Sequence, residues 1–361
     1  MEKKPKVIDL FAGCGGLSYG FIEAGFDVIL GVDIDEAALT TYKYNHTNSS
    51  VLNADLSDKK TINTIRQMVG NEQVDLIIGG PPCQGFSLTG SRNEDDDRNK
   101  LYKAMVDAVR ELQPKAFILE NVPGLTTLYT GKVKERILED FKESGYEVSY
   151  QILNAADYGV PQFRKRVFFV GLQNGLGKFK FPEPTNDESN YVGCEDAIGD
   201  LPSLENELGK NEDIYTSFPL SDYQIKMREE SEILHNHLGT RHTEEVIDVI
   251  KQVPEGGNHK DLPPGVGESR KFNEAWTRYH SKRPSKTIDT GHRNHFHYKY
   301  NRVPTARENA RLQSFPDKFV FLGNKTQQYR QVGNAVPPLL GYHLGKQLLK
   351  HVSKEEGVVV E

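Results

Sequence analysis

Two apolar runs joined by a glycine turn and a single helix constrain this chain more than any other feature. Val7-Ile8-Asp9-Leu10-Phe11 is closed by Ala12-Gly13-Cys14-Gly15-Gly16. Residues 17–24 then read as a helix that Gly25 stops, and Val28-Ile29-Leu30-Gly31-Val32 ends at Asp33. Strand candidates recur at residues 51–52, 74–78, 116–119, 148–153 and 167–170, with helix-like segments between most of them. This rhythm predicts an α/β, doubly wound parallel sheet. It stops near Gly175. From there to about Arg302 the chain is rich in Pro, Gly, Asn, Asp and Glu and weakly periodic, which predicts a second, smaller and more irregular domain. Helix-like signal returns at residues 305–313 and 338–350.

A chain of 361 residues is comfortable for two domains. No apolar stretch reaches about 18 residues, so no transmembrane helix is expected. The N-terminus runs into the first strand without a secretory apolar region. Three scattered cysteines, Cys14, Cys83 and Cys194, suit neither a disulfide framework nor a zinc site, and we expect a reducing, cytoplasmic compartment and no metal. A net charge of -6 argues against a non-specific coat on nucleic acid but leaves room for a local basic face.

Cys83 has a distinctive setting. It sits in Gly79-Gly80-Pro81-Pro82-Cys83-Gln84-Gly85-Phe86-Ser87, directly after the apolar run Val74-Asp75-Leu76-Ile77-Ile78. Open α/β sheets place ligands at the carboxyl ends of their strands. Prolines that fix φ and glycines that free it present a thiol there rather than pack it. A reactive thiol is favoured over a turn that merely holds a cysteine.

The other strand ends carry matching chemistry. The first glycine turn allows close backbone approach at a helix N-terminus. A dinucleotide fingerprint asks for glycine three positions after Gly15, where this chain has Ser18, so a smaller adenosine cofactor fits better than a pyrophosphate. Asp33 lies about 20 residues after the glycines, where an acid can accept both ribose hydroxyls. Asp55 follows the third strand and could accept from an adenine amine. Each acid alone reads more commonly as a helix N-cap or turn residue; together with the glycines they suggest a cofactor edge. Glu120, in Glu120-Asn121-Val122-Pro123, ends the fourth long strand on the same edge as Cys83, with a capping or ion-pair role as the alternative. In Gln162-Phe163-Arg164-Lys165-Arg166, strand alternation sends Gln162, Arg164 and Arg166 to one face; a solvated basic edge is the alternative.

These motifs resemble those of the bacterial-type cytosine-5 DNA methyltransferases. The resemblance rests on Asp9-Leu10-Phe11-Ala12-Gly13-Cys14-Gly15-Gly16, Pro81-Pro82-Cys83-Gln84, Glu120-Asn121-Val122 and Gln162-Phe163-Arg164-Lys165-Arg166. It extends to the run from Arg307 through Glu308-Asn309-Ala310-Arg311-Leu312-Gln313-Ser314-Phe315 to Pro316 and to Gln331-Val332-Gly333-Asn334-Ala335-Val336-Pro337, all in the family's order. It implies an S-adenosylmethionine-dependent methyltransferase fold acting on a flipped cytosine in a short sequence of double-stranded DNA. Catalytic roles would fall on Cys83, Glu120, Arg164 and Arg166. S-adenosyl-L-methionine would meet Phe11, Gly13, Gly15, Gly16, Leu17, Asp33, Ile34, Asp55, Leu56, Leu101, Asn334 and Ala335. Residues 84–99 would close over the base, with Ser87, Arg92 and Arg98 on DNA. The implied organisation is a catalytic domain of residues 1–175 plus 325–361, a target-recognition domain of 176–304 and a hinge of 305–324. The resemblance further implies a cytoplasmic bacterial or archaeal monomer, with a cognate restriction endonuclease as a plausible partner.

Residues 270–302 carry Arg270, Lys271, Arg278, Lys282, Arg283, Lys286, Arg293, Lys299 and Arg302 against only Glu274 and Asp289. Aromatic and histidine residues interleave with them. A solvated basic surface is the plain reading, but the segment lies in the family's variable region. DNA contacts are expected there, above all from Arg270, Lys271, Arg278, Lys282 and Arg293. Three other classes are less consistent. A transfer-RNA methyltransferase of related motifs carries Cys-Phe-Thr, whereas Glu195 follows Cys194 here. An NAD-dependent oxidoreductase is disfavoured by Ser18, and a catalytically dead DNA-binding module by Cys83, Glu120 and Arg166.

Overall fold

The computed structural model describes residues 3–82, 100–269, 272, 274–291 and 294–353. The chain divides into two compact units. The first comprises Met1–Asn154, Lys165–Glu183 and Leu340–Glu361, and the second Ala155–Arg164 and Pro184–Leu339.

The first unit is a layered α/β structure. Its strands are β1 (Lys6–Leu10), β2 (Asp27–Asp33), β3 (Ser50–Asn53), β4 (Leu76–Gly79), β5 (Ala116–Asn121), β6 (Tyr146–Asn154) and β7 (Lys165–Gln173). Helices α1 (Gly16–Ala24), α2 (Glu36–Asn45), α3 (Lys59–Val69), α4 (Lys100–Leu112) and α5 (Lys132–Glu143) connect them. The sheet order is β3-β2-β1-β4-β5-β7-β6. The first five strands are mutually parallel, as the rhythm predicted. The sheet as a whole is mixed, because β7 runs antiparallel to both β5 and β6. Strand order reverses between β1 and β4, which makes the carboxyl ends of those two strands the switch point where such sheets hold ligands. The interior is apolar, with Ile8, Leu10, Ile77, Met105, Phe117, Leu119 and Phe141 all fully buried. The dominant favourable contribution is removal of this surface from water, about 25 cal/mol per Å² of apolar area.

In the second unit, helices α6 (Cys194–Ile198), α7 (Asp222–Met227), α8 (Glu244–Gln252), α9 (Ala306–Leu312) and α10 (Lys325–Asn334) are set among loops and two-residue strands. Its small apolar core gathers Ile250, Trp276, Phe296 and Val303. Buried ion pairs add to it. Arg302 grips Glu308 through two bonds of 2.7 Å, and Arg311 binds Asp317 at 2.9 and 2.7 Å. Such charges are tolerated inside only when fully paired. Helix α11 (Pro338–Val352) runs on from the second unit into the first. There Gly345 leaves no room for a side chain against Ala24, whose Cβ would be 2.7 Å from a new one.

The boundaries between units fall differently from those expected, for local reasons. Residues 155–164 are bound by the second unit: Gln162 Nε2 donates to Gln313 Oε1, and the amides of Phe163 and Ser285 reach the carbonyls of Ser285 and Pro161. Residues 176–183 belong to the first unit, where Phe179 packs edge-on against Phe181 and beside His351. Residues 325–339 join the second unit, where Tyr329 donates to the Pro304 carbonyl at 2.5 Å. Residues 305–324 lie within the second unit, where α9 is buried along its whole length and carries the ion pairs just described.

Candidate active site

The glycine turn after β1 is shaped by its neighbours. Phe11 adopts φ 60°, a left-handed conformation uncommon for a side-chain-bearing residue. Gly13 follows at φ 53° with nothing within 4 Å of the place a Cβ would occupy. Gly15 caps α1 at φ 91°, and a Cβ there would lie 2.3 Å from His46 Cε1. The helix begins at Gly16 with no side-chain cap and no acid in its first turn. Its amide-rich positive end is thus not neutralised by its own sequence.

Asp33, the last residue of β2, pins this turn. Its Oδ2 accepts the Gly13 amide at 2.8 Å, and its Oδ1 accepts the Asp35 amide at 2.8 Å. A carboxylate oxygen has two lone pairs, so each retains capacity for a hydroxyl. Asn53 Nδ2 donates to the carbonyls of Asp33 and Ile34 and ties the ends of β2 and β3 together. Ile34 is 68% exposed beside this edge, and Asp55 is exposed with Oδ1 accepting the Ser57 amide. Leu17 and Leu56 turn inward instead: both are buried, Leu56 within the main core. Leu101 is half-buried in the first turn of α4, while Asn334 and Ala335 close α10 in the second unit.

Next along the edge comes the turn that leads to Cys83. Gly79 ends β4 where a Cβ would lie 2.7 Å from the Leu10 carbonyl oxygen, and a Cβ on Gly80 would lie 2.8 Å from Glu120 Oε2. Both glycines are therefore required by close approach, the second by the carboxylate itself. Asn121 Nδ2 donates to the Pro81 carbonyl at 2.8 Å and fixes the proline turn to the end of β5. Cys83 follows two residues after Pro81 and lies outside the described residues, as do Ser87, Arg92 and Arg98.

Glu120 Oε1 receives Arg166 Nε at 2.9 Å, with the two side chains 13% and 15% exposed. Arg164 behaves differently. It is 1% exposed, and its Nη2 donates to the Gly333 carbonyl at 3.0 Å within the second unit. The expected alternation is present, with Gln162 and Arg164 buried and Phe163 and Lys165 exposed, but the two arginines serve different partners.

The basic segment divides in the same way. Arg270, Lys271 and Arg293 lie outside the described residues. Lys282, Arg283, Lys286 and Lys299 are exposed. Arg278 is an interior residue, contrary to its expected DNA role. Its guanidinium donates to the carbonyls of Val253 at 2.8 Å, His297 at 3.2 Å and Ile250 at 2.5 Å. The interleaved rings of Trp276, Tyr279, His295, Phe296 and His297 are likewise buried.

Sequence reasoning missed Asn121's clamp and a polar group beneath the glycine turn: Asp9, Ser18, Tyr42 and His46. An acid inside an apolar strand run, Asp9, was the signal available. Burial pushes its carboxyl up to about 7 against the lowering effect of Ser18, with Asp33 adding to the rise. Burial pushes the Cys14 thiol up to about 12, which leaves it protonated and unfit as a nucleophile. Among the described residues no cluster of His, Cys, Asp or Glu could hold a metal ion, and no helix is long and apolar enough to cross a membrane.

The model of the C-5 cytosine-specific DNA methylase family matches residues 5–350. The chain is 42% identical over 355 residues to the Type II methyltransferase M1.HphI of Haemophilus parahaemolyticus, covering 96% of this chain and 87% of the relative. It is 39% identical over 367 residues to the Type II methyltransferase M.DdeI of Desulfomicrobium norvegicum, covering 95% and 88%. Among solved structures it resembles a candidate DNA modification methyltransferase encoded within an E. coli prophage, with a TM-score of 0.80 at 29% identity over 97% of this chain and all of the other. The S. pombe Dnmt2 methyltransferase shares the fold at a TM-score of 0.64 and 18% identity, covering 96% of this chain and 99% of the other.

Proposed function

The chain belongs to the C-5 cytosine-specific DNA methylase family and methylates carbon 5 of cytosine in DNA; we propose that Cys83 opens the reaction and that Glu120 and Arg166 hold the base. The observation that carries this reading is the Glu120–Arg166 ion pair, at the carboxyl edge of β5, joined by Asn121 to the turn that leads into Cys83.

Carbon 5 of cytosine is a poor nucleophile. Addition of the Cys83 thiolate to carbon 6 converts the ring to an enamine and makes carbon 5 nucleophilic. Electron density then builds toward ring nitrogen 3 and the carbonyl oxygen. Glu120 takes up a proton and donates it to nitrogen 3 while its other oxygen accepts from the exocyclic amine, Arg166 donates to the oxygen at position 2, and the Pro82 carbonyl accepts from the amine. Arg166 bound to Glu120 fixes the carboxyl before the base arrives, and preorganised charge of this kind is the effective form of electrostatic catalysis. Loss of the carbon 5 proton and expulsion of Cys83 complete the turnover. The target lies inside a duplex, so the base is flipped out at a cost of a few kcal/mol in lost stacking.

S-adenosylmethionine supplies an electrophilic methyl sulfonium when bound. The residues present fit it: Gly13 offers open space where a side chain would stand, and Asp33 keeps acceptor capacity for ribose hydroxyls. Gly15, Gly16 and the start of α1 suit its carboxylate, with Ile34 and Asp55 toward the adenine. The second unit reads the duplex, with Lys282, Arg283 and Lys286 on phosphates. The curated relatives' type II names support a modification role beside a restriction endonuclease that acts on the same site. The decisive experiment offers the enzyme duplexes with 5-fluorocytosine at mapped target sites. Fluorine cannot leave as a proton does, so a denaturation-resistant adduct through Cys83 is expected. An adduct that persists in Cys83→Ala would remove Cys83 from this role.

A further inference from the structure

The elements that frame the glycine turn are tied together by one buried relay. Asp9 at the end of β1 is 2% exposed, and Ser18 in α1 and Tyr42 in α2 are fully buried. Ser18 Oγ donates to Asp9 Oδ2 at 2.5 Å and lies 2.9 Å from the Tyr42 hydroxyl. Ser18 has one proton, so when Asp9 is ionised the order is fixed: Tyr42 donates to Ser18, and Ser18 donates to Asp9. Tyr42 also shapes the turn sterically. A Cβ on Gly15 would fall 2.8 Å from its ring, and one on Gly31 would fall 2.6 Å from it. His46 stacks on Tyr42 at 4.2 Å and covers the remaining face of Gly15.

A buried carboxyl between apolar strands is costly unless it is hydrogen-bonded, and apolar side chains of similar volume would fill the same space without that cost. The relay touches β1, α1 and α2 and no surface a substrate could reach. We propose that Asp9, Ser18 and Tyr42 are positioning residues that fix the Gly13–Gly15 backbone in its cofactor-ready shape, so that their loss weakens the cofactor and spares DNA. This rests on the cofactor reading given above.

The test uses the full-length protein with Tyr42→Phe, Ser18→Ala, their combination, and Asp33→Asn as the reference. Calorimetry with S-adenosylhomocysteine reads cofactor affinity, a duplex titration without cofactor reads DNA affinity, and steady-state kinetics separate kcat from KM. Each relay variant should bind S-adenosylhomocysteine about five- to tenfold more weakly, the range one lost buried hydrogen bond allows. KM for the methyl donor should rise in parallel, with kcat and DNA affinity within about twofold. The double variant should fall short of the product of the single losses, as members of one network do. If Tyr42→Phe and Ser18→Ala bind within twofold of wild type while Asp33→Asn is impaired tenfold or more, the relay has no positioning role and the cofactor reading stands. Unchanged binding in Asp33→Asn would sink the cofactor reading and the relay with it. A loss of DNA affinity equal to the loss of cofactor affinity would reduce the relay to general support of the fold.

Discussion

Arg166 Nε lies 2.9 Å from Glu120 Oε1 because β7 runs antiparallel to β5. In a parallel arrangement the first residues of β7 would sit at the opposite edge of the sheet, a strand length away. Reversal of a single strand brings the start of β7 to the edge where β1, β2, β4 and β5 end. The pair is mostly withdrawn from water, so each charge is screened less than at a surface and each depends on the other.

Glu120→Gln keeps the shape and removes the acidic proton offered to nitrogen 3. We expect kcat to fall by about 10²–10³, the usual effect of removing one preorganised group that stabilises developing charge. S-adenosylmethionine affinity should stay within about twofold. Single-turnover methylation on a mapped duplex together with calorimetry measures both; a large cofactor defect would place Glu120 elsewhere in the mechanism.

Asp33→Asn retains an acceptor for the Gly13 amide and discards the charge. Cofactor binding should weaken by about 1.5–3 kcal/mol, the range for charge-assisted hydrogen bonds. Unchanged affinity by calorimetry would move the ribose site off Asp33.

Gly80→Ala inserts a methyl that meets Glu120 Oε2 at 2.8 Å. Relief requires the carboxylate or the proline turn to shift, at about 1–3 kcal/mol for an overpacked site. Activity should drop far more than the unfolding midpoint does, because the displaced group is the one proposed to hold the base. Equal rates for variant and wild type would show that this contact has no bearing on catalysis.

Lys282→Ala and Lys286→Ala should weaken every duplex alike and each lower the salt slope by about one. Arg278→Ala should instead lower the thermal midpoint, since it removes the buried guanidinium that joins the carbonyls of Val253, Ile250 and His297. Duplex titrations at two salt concentrations beside thermal melts separate the two outcomes. A change of base preference in a fully stable Arg278→Ala would contradict its interior role.

Asp9 and His46 make stability depend on pH in opposite directions. Asp9 rises from 3.8 to about 7 on folding, so its contribution is complete below about pH 4 and is lost as pH climbs through 7. His46 falls from 6.5 to about 4 because burial disfavours the cation, so its contribution is complete above 6.5 and is lost on acidification toward 4. Asp9→Asn should therefore remove the loss of stability that Asp9 causes between about pH 4 and 7 and leave the opposing His46 gain over about pH 4–6.5 uncompensated, so the midpoint should rise more steeply with pH in that range than in wild type. An unchanged midpoint-versus-pH curve between about pH 4 and 7 would mean that Asp9 does not titrate there.

Much of this molecule was legible in its residues, because the relevant information is local. Apolar runs closed by glycine or by Asp33 give the parallel strands; Gly25 at φ 113° stops α1 where the pattern said it would. Thr305 and Glu308 form the capping box that starts α9. Ser18 argued correctly against a third turn glycine, but its purpose, a hydrogen bond to Asp9, could not be read from spacing. Helix α10 gives little signal in the sequence because its hydrophobic face is short and part of its burial is polar, through Gln328 and Gln331.

The sequence by itself determined the strand ends, the residue types on them and the family, since these follow from periodicity, turn chemistry and ordered motifs within short windows. Tertiary structure alone decided the direction of β7, the attachment of residues 155–164 to the second unit, and the separate fates of Arg164, Arg166 and Arg278. An arginine's charge is the same in every setting. Whether it faces a substrate, a carboxylate or a buried carbonyl depends on acceptors that can lie more than a hundred residues away in the chain, as Gly333 does from Arg164. Local propensity carries no record of such partners; the packing that desolvates the guanidinium selects them.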